Sequence, residues 1–181
     1  MKLFTVLGAI IAIAFSISLV PVPAQAAEFY GKLEVGVTAN AEVEGFGLQD
    51  DLAYGAALGA DLGVLRVEAG VSRISADVLS IAQVSALDHH ATAFVDFALT
   101  ERSTFFAGAG VDYVDAEANF FGSSLNADGK GWHYAIGGAY RLNDRMIGEV
   151  QFRHVEADMS SDYGDFDLAA DEVSVGLRLA L

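Results

Sequence analysis

Val173-Ser-Val-Gly-Leu-Arg-Leu-Ala-Leu181 closes the chain with an unbroken alternation. On an extended backbone Val173, Val175, Leu177, Leu179 and Leu181 fall on one side, and Ser174, Gly176, Arg178 and Ala180 on the other. Successive side chains of a strand point to opposite faces, so the segment reads as a strand between two different environments. A single segment does not distinguish a half-buried soluble strand from one that faces lipid. The number of such segments, and the lengths of what joins them, do.

Seven further segments alternate in the same way. The periodicity predicts strands over roughly 28–40, 52–61, 64–75, 89–99, 104–115, 131–142, 146–157 and 172–181. In the third, Leu65, Val67, Ala69 and Val71 oppose Arg66, Glu68, Gly70 and Ser72; in the fifth, Phe105, Ala107, Ala109, Val111 and Tyr113 oppose Gly108, Gly110 and Asp112. The connections 62–63, 100–103 and 143–145 are short, whereas 41–51, 76–88, 116–130 and 158–171 are long. Long and short alternate without exception. A membrane barrel with short periplasmic turns and long outer loops imposes that order. Strands of about ten residues match a tilted crossing of a bilayer. Aromatics gather towards the ends, with Phe29, Phe97, Phe105 and Tyr140 on the turn side and Tyr54, Tyr113 and Trp132 on the loop side, as in two interfacial girdles.

The start of the chain is of another kind. Lys2 precedes an apolar run from Leu7 to Val20, Pro21 and Pro23 break it, and Ala24-Gln25-Ala26 supplies small residues. Positive, apolar, small is the order of a cleaved secretory signal peptide. The expected division is a signal peptide over 1–26 and an outer-membrane β-barrel domain over 27–181. Both prolines fall in the first part, which suits a sheet, where proline removes a ladder hydrogen bond. The chain has no cysteine, so neither a disulfide framework nor a thiolate site is available. A net charge of −15 sets the protein against nucleic acid, whose phosphates would repel it. The fold class expected is all-β, an eight-stranded antiparallel up-and-down transmembrane β-barrel.

Two stretches carry a resemblance, Thr104-Phe-Phe-Ala-Gly-Ala-Gly-Val-Asp-Tyr113 and Gly131-Trp-His-Tyr-Ala-Ile-Gly-Gly-Ala-Tyr-Arg-Leu-Asn-Asp-Arg145, followed by Ile147-Gly-Glu-Val-Gln-Phe-Arg153. The chain resembles the small outer-membrane β-barrel family of opacity-type adhesins and OmpA-like transmembrane domains. The resemblance implies residence in the outer membrane of a Gram-negative-type cell. Two departures stand out: members usually end in an aromatic residue where this chain has Leu181, and no peptidoglycan-binding domain is expected after the barrel.

Small eight-stranded barrels are filled by side chains. Lys32, Glu34, Arg66, Glu68, Asp96, Asp112, Arg141, Glu149, Arg153 and Arg178 lie on the inward parity and are expected to form a lumenal charge network, because unpaired buried charges are costly. The long connections are acidic: Glu42, Glu44, Asp50 and Asp51 in the first, Asp77 and Asp88 in the second, Asp115, Glu117 and Asp128 in the third, and Asp158, Asp162, Asp165, Asp167 and Asp171 in the fourth. Asp162, Asp165 and Asp167 do not have the spacing of a calcium loop, and a solvated acidic surface is the expectation. His89, His90, His133 and His154 are read as rim residues. No serine shares the strand face of His133, and neither Ser72 nor Ser174 pairs with a histidine by spacing, so no catalytic residues, cofactor or metal are expected.

The function expected is that of a structural outer-membrane protein presenting acidic loops, in adhesion or surface interaction. The alternatives are a narrow porin-like channel for small solutes, a soluble periplasmic ligand-binding barrel and a lipid A-modifying enzyme. The expected partners are outer-membrane lipid and the barrel-insertion machinery, with no nucleic acid, an unidentified loop partner and a monomeric state.

Overall fold

The computed structural model describes residues 27–43, 46–47, 51–78, 82–120 and 123–181. The segment read as a signal peptide lies outside the described residues, as do Glu44 and Asp50. The strands are β1 (Glu28–Val43), β2 (Phe46–Gly47), β3 (Asp51–Asp61), β4 (Leu65–Val78), β5 (Ala82–Ala98), β6 (Ser103–Phe120), β7 (Ser123–Arg141), β8 (Met146–Ser161) and β9 (Gly164–Ala180). Each pairs antiparallel with its neighbour in the order β2-β1-β3-β4-β5-β6-β7-β8-β9, and β1 also pairs with β9. That last pairing, from Tyr30↔Ala180 to Thr38↔Glu172, closes eight strands into a barrel; β2 is a short return on the end of β1. Closure leaves no unpaired edge through the wall.

The turns at one end are tight because local groups satisfy the backbone. Asp61 Oδ1 accepts from Gly63 N at 2.7 Å, and Gly63 takes φ = 96°, a left-handed conformation that glycine adopts without steric cost. Thr100 Oγ1 accepts from the amides of Arg102 and Ser103, and Asn143 Oδ1 from that of Arg145.

At the other end the strands run far past the expected boundaries. β6 has 18 residues and β7 has 19, against the roughly 9–11 that cross a bilayer. Most of 82–88, 116–130 and 158–171, read from sequence as loops, is therefore strand. The reason is an inversion of polarity along one continuous alternation. On β6 the outward residues run Phe105, Val111, Tyr113 and then Asp115 and Glu117; the inward ones run Asp112 and then Val114. β7 changes at Trp132 to Lys130 and Asp128, and β9 at Val173 to Asp171 and Asp167. Below the change the outside is apolar and the inside polar; above it, the reverse. Phe105 to Tyr113 spans about 20 Å at ~3.4 Å per residue and ~40° tilt, close to the ~25 Å apolar band of a membrane barrel.

The inversion places the membrane boundary, and that placement is testable. Ala109→Arg, in the middle of the outward belt, is expected to destabilise the folded barrel by about 2–4 kcal/mol, and Glu117→Arg, above it, by less than about 1 kcal/mol. Urea titration of both variants in lipid vesicles reads the difference; equal costs would contradict the assigned boundary.

Candidate functional site: the charged lumen and the acidic outer wall

The lumen is filled at three heights. On the turn side of the barrel Arg66, fully buried, is held between two rings. Its Cζ lies 4.1 Å from the centroid of Phe94 and 4.9 Å from that of Phe106, and the two rings meet edge-on at 5.5 Å. Cation–π contact of this kind is strongest where water is excluded. The rings fit because Gly108 and Gly137 face them: a β-carbon at either would overlap Phe94 or Phe106. Ala135, Ala139 and Ile147 complete this apolar packing.

Beside it lies an ion network. Arg66 bonds Glu68 through Nη1 and Asp96 through Nε at 3.1 Å. Lys32 Nζ reaches Glu34 at 3.1 Å and Glu68 at 3.0 Å, and the Tyr30 hydroxyl donates to Glu68 at 2.6 Å. Arg178 Nε lies 2.6 Å from Glu149 Oε1, outside hydrogen-bonding angles. Five strands contribute cations or acids here, which ties β1, β4, β5, β8 and β9 across the lumen.

The middle level is organised by Arg153. Its Nη2 lies 2.9 Å from Asp88 and 3.1 Å from Glu172, and donates to Ser72 Oγ at 3.2 Å. Asp112 is 3.9 Å from Nη1. Asp112 in turn accepts from His133 Nδ1 at 2.7 Å, and His133 Nε2 lies 2.9 Å from Thr92 Oγ1. His90 packs edge-on against His133 at 6.1 Å and lies 3.5 Å from Asp88. At the loop end Val114, Ala127, Ala157 and Met159 form an apolar cluster with Phe166 and Leu168 against it.

Of the residues singled out by parity, Lys32, Glu34, Arg66, Glu68, Asp96, Glu149 and Arg178 come together at the turn-side level, and Asp112 and Arg153 at the middle level. Arg141 does not join either. It is exposed at the turn-side mouth, because its strand ends there, and no ion-pair partner lies within 4.0 Å among the described residues. Two readings need correction. Asp88 is buried inside the barrel, since β5 begins before it. His90 and His133 are lumenal and not rim residues. His133 does have a hydroxyl partner, supplied by Thr92 from β5 and not by its own strand. Tyr30, Ser72, Thr92 and Glu172 were also missed as lumenal partners; their inward parity was the available signal.

Above the belt the outward face is acidic. Asp115, Glu117, Asp128, Asp158, Asp162, Asp165 and Asp167 are exposed, whereas Asp171 is engaged by His154 Nδ1 at 2.6 Å. Among the described residues no group of three or more His, Asp or Glu stands close enough to hold a metal ion.

A closed barrel with an apolar belt outside and paired charges inside is the build of a transmembrane β-barrel. The outer membrane protein beta-barrel domain model matches residues 12–179, and the chain belongs to that family; it is a protein of the Gram-negative outer membrane. No curated protein sequence matches the chain. Among solved structures, Neisserial surface protein A is similar with a TM-score of 0.76 at 16% identity, over 87% of this chain and 100% of its own. Ail, the attachment invasion locus protein of Yersinia pestis, follows with 0.57 at 11% identity, over 84% and 98%. OprG of Pseudomonas aeruginosa gives 0.55 at 12%, over 87% and 97%. At these identities the likeness is one of fold.

Arg153 is the residue on which the middle level depends. Arg153→Ala leaves Asp88 and Glu172 buried without their shared cation and is expected to cost about 3–5 kcal/mol, whereas Thr92→Val, which removes one neutral hydrogen bond, is expected to cost about 1 kcal/mol. The urea midpoints of the refolded variants measure both.

Proposed function

We propose that the protein is a structural scaffold of the outer membrane, closed to solutes, whose raised acidic wall makes contacts with cationic surfaces or proteins outside the cell, as in adhesion. The observation that carries this reading is the inversion of polarity. It raises Asp115, Glu117, Asp128, Asp158, Asp165 and Asp167 above the belt on paired strands, so the carboxylates are held in a rigid array and not on a free loop. Such an array favours a cationic partner and speeds its encounter at low salt.

Ail has been solved with the heparin analogue sucrose octasulfate. A polysulfate would be repelled by the acidic wall here, so a partner of opposite charge fits this chain better. Closure to solutes is supported by the fully buried Arg66, Phe94 and Phe106 and by the apolar cluster at the loop end. The same packing supports a non-catalytic role for Thr92, His133 and Asp112. Their order resembles a nucleophile, base and acid, but all three are buried between packed levels that give a substrate no route. The belt takes outer-membrane lipid as its solvent, the insertion machinery is a transient partner, and the barrel acts as a monomer.

Two measurements on the refolded barrel test the reading. In planar bilayers it is expected to hold conductance at the baseline of the lipid. On polylysine-coated surfaces it is expected to bind in a salt-dependent way that weakens with Asp165→Lys and Asp167→Lys, and to pass over heparin unretained. Steady single-channel openings, or retention on heparin in preference to polylysine, would overturn it.

A further inference from the structure

The turn-side mouth holds a cavity of about 280 Å³ whose floor includes Ala139 and Ile147 and whose wall carries charges of both signs. The charges are arranged in an unusual way. Glu28 and Asp61 are directly opposite each other in the β1–β3 register, and both line the cavity. On the other side Arg102 and Arg141 are held together by a backbone hydrogen bond, Arg141 N to Arg102 O at 2.8 Å, and both line the same cavity. Like charges placed opposite one another across strands are destabilising.

Neither pair relieves the other. Among the described residues the side chains of Glu28, Asp61, Arg102 and Arg141 have no ion-pair partner within 4.0 Å; Asp61 accepts only from the amide of Gly63. Arg141 continues the inward parity of His133, Ala135 and Ala139, so it belongs to the mouth and not to the outer surface. The two charged cavity residues that lie deeper, Asp96 and Arg178, are already engaged by Arg66 and Glu149. Among the described residues the mouth therefore presents two guanidinium groups, Arg102 and Arg141, and three carboxylates, Glu28, Asp61 and Glu101, none of them in an ion pair, around one small space.

The geometry points to this mouth as a binding site for a zwitterion, a free amino acid or a short peptide, with its carboxylate at Arg102 and Arg141 and its ammonium at Glu28 and Asp61. Two guanidinium groups side by side suit a carboxylate, which they bind with charge-assisted hydrogen bonds. The volume lies just below the ~300–1,000 Å³ of drug-sized pockets, which suits one or two residues of peptide. A neutral ligand would leave both like-charge pairs unrelieved. A simple anion or cation would relieve one. The cavity opens on the side of the short turns, which in this family faces the periplasm, so the ligand is a periplasmic one. This site is separate from the outer wall and does not depend on its role.

The test uses the full barrel, isotopically labelled and refolded in detergent micelles, with the dipeptide alanyl-alanine as probe. Saturable shifts are expected at the amides of Gly63, Ala98 and Thr104. N-acetyl-alanine amide, which lacks both charges, is expected to leave those signals in place. Arg141→Gln and Glu28→Gln are each expected to weaken binding about tenfold, the fold-change that ~1.4 kcal/mol corresponds to. Arg145→Gln, on the same turn but outside the cavity, is expected to bind as the parent does. The boiling-dependent gel shift of each variant shows that it has folded. Failure to saturate, an equal response to the blocked compound, or unchanged binding in both folded cavity variants would overturn the proposal.

Discussion

The pairing of β1 with β9 is the constraint on which the rest of the structure depends. In hydrocarbon no water satisfies a backbone amide, and each unsatisfied group costs several kcal/mol. An open sheet of these strands would leave two long rows of such groups in lipid. The register Tyr30↔Ala180 through Thr38↔Glu172 removes both rows at once. It also sets which side chains meet inside, because a one-residue slip would turn every lumenal charge outwards. Lys32 sits across from Arg178, and Glu34 across from Gly176, so closure and the ion network are two consequences of one register.

The network has a cost that the surrounding structure must offset. Burying charges is expensive unless each is paired and hydrogen-bonded. Among the described residues the lumen holds Lys32, Arg66, Arg153 and Arg178 against Glu34, Glu68, Asp88, Asp96, Asp112, Glu149 and Glu172. Carboxylates outnumber cations, and the two histidines stand beside two of them, His90 by Asp88 and His133 by Asp112. Arg153 compensates by serving several acids, and Glu68 by accepting from Tyr30, Lys32 and Arg66 together. Shared partners lower the side-chain entropy lost per contact, since one ordered group serves several pairs. The glycines beside the rings give the room this packing needs: a β-carbon at Gly110 would overlap the ring of His133, which lies within reach of both Asp112 and Thr92.

How much of this was legible in the sequence follows from what alternation encodes. Period two reports which face a residue occupies, so the eight wall strands and most of the lumenal charges could be read directly. It does not report height. Arg141 and Arg153 share the inward parity of their strands, yet one sits at the mouth and the other in the middle. Nor does parity say which environment a face meets. Asp115, Asp128 and Asp167 looked like loop residues because acids replaced leucines and phenylalanines on the outward face. The inward face had changed in the opposite sense at the same place, with Val114, Ala127 and Leu168, and only both faces taken together show a strand continuing into water. Cross-strand partners such as Thr92 and His133 were beyond reach, because they depend on register between β5, β6 and β7.

That inversion explains why one chain can be inside-out and ordinary in turn. Where lipid surrounds the wall, apolar groups are satisfied outside and the interior must accommodate what is polar. Where water surrounds it, the same alternation is obliged to reverse, and the interior becomes a small conventional core of Val114, Ala157 and Met159. The reversal anchors the barrel vertically, since sliding in either direction would bring Asp115 and Asp171 into hydrocarbon or Val111 and Val173 into water. The acidic wall is therefore not an appendage attached to the barrel. Its height and its place on paired strands come from the alternation that holds the barrel in the membrane.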